Sequence, residues 1–93
     1  MKKEDCIAIV EAIVKEMKKL IGPVAITHAN NIKELKINDD GTVAILGKCN
    51  RKIILELVKN YEELIGPVAL TISREAVKRL KKDLDRILSS SKI

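Results

Sequence analysis

The residues of this chain that could carry chemistry are few and scattered. Cys6, His28 and Cys49 are the only thiol and imidazole groups in 93 residues. A structural zinc site takes four ligands, commonly in close pairs, so no metal site is expected. Both cysteines fall near the starts of expected helices, where a free cysteine behaves as a small hydrophobe; a disulfide between them is the alternative. Asp39 and Asp40 are adjacent, and turn formation explains them better than acid–base work. Gly47-Lys48 lacks the preceding glycine and the following Ser or Thr of a phosphate-binding loop, and no GxGxxG, HExxH or GxSxG occurs. The reading is a protein without catalytic residues, cofactor or metal.

Two polar groupings could instead touch nucleic acid. Asn30, Asn31, Lys33 and Lys36 follow His28 on and after the second expected helix, and asparagine and lysine suit adenine, guanine and phosphate. The order helix, tight turn, helix, hairpin resembles the latter part of a winged helix, with Asn38 to Gly41 as its tip. Against it, Asp39 and Asp40 would repel phosphate, and a winged helix has another helix ahead of the corner. The second grouping, Arg74, Lys78 and Lys82 with Lys81, Arg86 and Arg79 nearby, lies opposite the apolar stripe of the last helix, where a Glu75–Arg79 pair and the diluting Asp83 and Asp85 favour a solvated helix back. Tyr61 is the sole aromatic, so stacking platforms for single strands are lacking and any contact would be to duplex DNA and salt-sensitive.

The elements that must position these groups come from an internal repeat. Residues 20–27 read Leu-Ile-Gly-Pro-Val-Ala-Ile-Thr and residues 64–71 read Leu-Ile-Gly-Pro-Val-Ala-Leu-Thr. Upstream, Ile9, Val10, Ile13, Val14 and Met17 fall on Ile53, Ile54, Leu57, Val58 and Tyr61. Each copy reads as helix, corner, helix. Gly22 and Gly66 suit the positive φ that ends a helix, and Pro23 and Pro67 suit the first turn of the next. The first helix is expected from Glu4 to Leu20, a shortened second from Pro23 to about Lys33, and a fourth from about Pro67 to Leu88. Between the copies, Glu34 to Ile37 alternates, Asn38 to Gly41 is a turn, and Thr42 to Leu46 is β-branched and apolar, which predicts a β-hairpin. A third helix starts near Cys49 or Asn50. Repeat one then spans about 4–36, the hairpin about 35–46 and repeat two about 49–88, with 89–93 a disordered tail of a single domain.

Composition sets the limits. Hydrophobic residues make up 46% and charged residues 33% of the chain, with a net charge of +5, which excludes a disordered or fibrous chain. Ile, Leu and Val dominate while Phe, Trp and Gln are absent. The core must be aliphatic, and the Lys, Glu and Ile bias looks like that of heat-adapted organisms. Residues 7–14 leave only Glu11 polar, and Ile53, Ile54, Leu55, Leu57 and Val58 crowd the third helix. So much apolar surface predicts a homodimer with helices one and three near its seam. The opening Met-Lys-Lys-Glu-Asp has no signal-peptide core and no apolar run reaches 18 residues, so a cytoplasmic protein without membrane contact is expected.

The twin Leu-Ile-Gly-Pro-Val-Ala boxes resemble Ile-Gly-Pro-Ile-Ala type sequences in small helical output domains of archaeal response regulators and related stand-alone proteins. The likeness covers eight residues twice, with helical flanks, and this chain differs in holding two copies around a hairpin with no receiver domain. The resemblance implies a prokaryotic signalling or regulatory association module, with no catalytic residues to carry over. The expected fold is mainly α (α+β): two αα-hairpins joined by a β-hairpin. The expected function is a non-catalytic protein-interaction or oligomerisation module, its partners a second copy and an unidentified protein. The alternative is a DNA-binding regulator that reads duplex DNA with helix two and the hairpin.

Overall fold

The computed structural model describes residues 3–47 and 51–90, with the side chains of 45, 46 and 82–90 outside the description. Four helices and one hairpin follow in the order α1 (Lys3–Ile21), α2 (Val24–Asn30), β1 (Leu35–Ile37), β2 (Val43–Leu46), α3 (Arg51–Ile65) and α4 (Val68–Ser90). The chain is mainly helical with a small antiparallel hairpin, as the periodicities predict. Two boundaries differ. Helix two stops at Asn30, three residues short of Lys33, because the chain must turn there to enter β1. α4 continues through Ser90, so residues 89 and 90 of the expected tail are helical; 91–93, like the expected start of helix three at Cys49 or Asn50, lie outside the described residues.

The two corners share one geometry. Gly22 has φ 75° and Gly66 φ 81°. The Gly22 N–H donates to the Lys18 carbonyl at 2.9 Å, and the Gly66 N–H to that of Glu62 at 2.8 Å. This single left-handed residue closes the helix end, and glycine reaches it without the clash a Cβ brings. The Ala25 and Ala69 N–H groups then donate back to the Gly22 and Gly66 carbonyls, both at 3.1 Å, starting the next helix directly after proline. A Cβ at either glycine would meet nothing within 4 Å. Substituting alanine therefore carries the backbone cost alone, about 1–2 kcal/mol. Gly22→Ala and Gly66→Ala are expected to lose equal stability in urea unfolding.

α1 is the central element: α2, α3, α4 and β2 all pack against it. Arg79 Nη1 of α4 meets Glu16 Oε1 at 2.9 Å, Leu20 lines one cleft with Thr71 and Ile72, and Ala12 lines another with Leu80, so α1 and α4 run antiparallel. Cys6, Val10, Ile13, Val14 and Met17 are buried there, facing Leu57, Tyr61 and Ala69 in one continuous core. Much of the apolar excess of helix one is thus taken up by the chain itself. α3 keeps more in the open, with Leu55 61% exposed.

An isolated two-stranded hairpin is marginal in water, and this one is held by the helices. Leu35 pairs with Leu46 and Ile37 with Val43 around an extra residue, Ala44. From α1, Glu11 Oε2 accepts the Val43 N–H at 2.8 Å, the Lys15 side chain lies against Gly41, and Lys18 Nζ donates to the Asp39 carbonyl. Glu11, Lys15 and Lys18 fall on one face of α1 by their spacing. From α2, the Asn30 amide brackets Ile37: Oδ1 accepts its N–H at 2.7 Å and Nδ2 donates to its carbonyl at 3.3 Å.

Cys6 is fully buried and disulfide-bonded, which replaces the expected free thiol. The chain's only other cysteine, Cys49, lies outside the described residues.

Candidate functional site

The residues singled out for nucleic acid do not converge. Asn30 has its amide committed to the Ile37 backbone. Asn31 caps the C-terminus of α2, and its N–H donates to the His28 carbonyl at 3.3 Å. Lys33 and Lys36 are exposed, Lys36 in the outward position of β1. Arg74 and Lys78 are exposed on α4, which touches neither α2 nor the hairpin among the described residues. Lys82 belongs to α4, but its side chain lies outside the description. The hairpin tip carries a fixed negative charge: Asp40 accepts from the Thr42 hydroxyl and N–H. These bonds hold its carboxyl below the usual range, so it stays ionised where a DNA-reading tip would meet phosphate.

A groove forms between α3 and α4. The one-sided spacing of Ile54, Leu55 and Val58 on α3, and of Leu70, Arg74, Val77, Lys78 and Lys81 on α4, turns these side chains toward a shared trough of about 550 Å³. Ile13 of α1 closes its floor, and Ser73 and Glu75 also line it. The Ser73 hydroxyl donates to the Ala69 carbonyl one turn back at 2.7 Å, so it offers the groove no unmet donor. Leu55 and Leu70 are large aliphatic residues left 61% and 39% exposed.

The groove is apolar at its base and basic along one wall. Arg74, Lys78 and Lys81 are all exposed and stand at i, i+4 and i+7 on α4. None of the three has an ion-pair partner among the described residues, where the one salt bridge joins Arg79 to Glu16 on the side of α4 facing α1. Glu75 is the only acid from Val68 to Lys81, so the wall is net positive.

Sequence reasoning found the cations of this wall and the apolar character of α3, but it missed Leu70. That residue lies off the core stripe of α4 and in line with Val77 seven residues on. A large apolar residue repeating on a second line of an otherwise amphipathic helix is the signal that would have found it. Among the described residues no group of three or more His, Cys, Asp or Glu converges to hold a metal ion, and no helix is long and apolar enough to cross a membrane. Comparison with family models, with curated proteins and with solved structures finds no match to this chain.

Proposed function

We propose that this chain is a non-catalytic protein-interaction and oligomerisation module of a prokaryotic, archaeal-type regulatory system, and that the α3–α4 groove is its contact surface. The observation that carries this reading is the pairing of exposed Leu55 and Leu70 with an aliphatic floor that the described residues leave open. Exposed apolar surface of this kind, rimmed by charge, marks interaction sites. A cytoplasmic setting belongs to the same reading. Buried disulfides are rare in mesophilic cytoplasm but common inside hyperthermophiles, which agrees with the heat-adapted composition.

The test uses affinity capture from an extract of the source cells and light scattering over a dilution series, comparing the wild type with Leu55→Glu. Leu55 is mostly exposed, so circular dichroism of the variant should be unchanged. A complex formed by the wild type and lost by the variant is the expected result; the same species for both proteins overturns the assignment of the groove. The DNA reading draws on Lys33 and Lys36, both exposed beside the hairpin. It predicts a salt-dependent gel shift of duplex DNA that Lys33→Glu with Lys36→Glu abolishes.

A further inference from the structure

Resting on the groove being the contact surface, we infer that its occupant is an amphipathic helix from a partner protein, with acidic residues flanking the helix's apolar face. Three observations point there. Both walls are helices, whose backbone groups are spent internally, so the groove has no main-chain edge on which an extended peptide could add a strand. What it offers is side-chain relief: Ile54, Leu55 and Val58 on one wall, Leu70 and Val77 on the other. Leu70 and Val77 are separated by two helical turns, about 10 Å, a span that suits apolar anchors at i, i+3, i+4 and i+7 of a docked helix.

The third observation is charge. Arg74, Lys78 and Lys81 run along the α4 wall without ion-pair partners among the described residues, and Glu75 is the one acid among the residues that line the groove. A docked helix places its flanking residues beside that row. Glutamate or aspartate there would be attracted, whereas lysine would be repelled, so the wall selects among amphipathic helices that the apolar floor alone would treat alike.

The probes are two synthetic amphipathic peptides of about four turns, with the same leucine face and either glutamate or lysine flanks, followed by fluorescence anisotropy. The glutamate peptide is expected to bind the wild type at least about fivefold more tightly than the lysine peptide, a preference that fades as added salt screens the pairs. The double variant Arg74→Glu with Lys78→Glu alters only exposed positions and should fold normally. It is expected to weaken the glutamate peptide about tenfold and to improve the lysine peptide. Equal binding of both peptides overturns the acidic occupant while leaving the groove as an interface. Failure of both peptides, with a wild-type dimer that Leu55→Glu dissociates, also overturns it and assigns the groove to a second copy of this chain. Failure of both peptides without a dimer overturns it too, and the capture experiment then decides separately whether the groove is an interface.

Discussion

Tyr61→Ala is expected to remove a large share of the stability of the fold and to lower its urea midpoint more than any other single substitution described above. Among the described residues Tyr61 is the largest fully buried side chain, with no exposed surface, and its hydroxyl donates to the Ala25 carbonyl at 2.8 Å. It thereby joins α3 of the second helical pair to α2 of the first. Removing the ring leaves a cavity that costs about 3–5 kcal/mol, against a total stability of about 5–15 kcal/mol for an ordinary domain. Tyr61→Phe keeps the ring and removes only the hydroxyl, so it should cost about 1 kcal/mol; urea midpoints separate the two. Burial pushes the Tyr61 phenol above its ordinary value of 10.0. The native chain therefore keeps a proton that the unfolded chain gives up above pH 10. Stability is complete below that pH and falls as pH rises, by about 1.4 kcal/mol per unit. Tyr61→Phe should abolish this share of the alkaline loss, and unfolding curves at pH 9 and pH 11 check it.

Reduction should rival that effect. Cys6 is disulfide-bonded and the sequence holds one other cysteine, Cys49; a bond between the two would close the stretch between residues 6 and 49 and restrict the unfolded chain by about 4 kcal/mol on the loop-entropy account. For a domain of this size that corresponds to a melting temperature lower by roughly 15–30 °C in excess reductant. The double variant Cys6→Ala with Cys49→Ala should melt at the reduced temperature whether or not reductant is present. Because Cys6 is wholly buried, the wild type should lose its disulfide slowly in the cold and quickly near its melting point. Identical melting curves with and without reductant would remove the bond from the account of stability.

The helices and the hairpin were legible in the sequence because each is written locally. Gly-Pro twice, an Asp-Gly turn, and apolar positions at helical or alternating spacing each specify their own backbone. What was not legible depends on elements distant in the chain. Glu11 reads as the one polar break in an apolar run, and only the packed hairpin shows it accepting the Val43 N–H. Asn30 reads equally well as a base-reading side chain, and only the turn into β1 shows its amide engaged by Ile37. The groove was half visible: Arg74, Lys78 and Leu55 stood out by type, but that they share a trough with Leu70 follows from the angle at which α3 and α4 meet. The disulfide was left open for the same reason, since spacing says nothing of which thiols approach.

The matched boxes differ in one telling detail. Ala25 and Ala69 occupy the same place in the two copies, and the carbonyl of each takes a side-chain hydroxyl: Tyr61 reaches across to the first, while Ser73 folds back along its own helix to the second. One local demand is met by two different routes, and only the first ties the halves together.

The clasp of Asn30 around Ile37 bears on how the protein behaves when concentrated. With the Ile37 amide and carbonyl engaged by Asn30, and the Leu35 N–H taken by the Ile32 carbonyl at 3.1 Å, a neighbouring molecule meets few open backbone groups on which to stack. A further strand could add on this side only by first displacing the Asn30 carboxamide from Ile37.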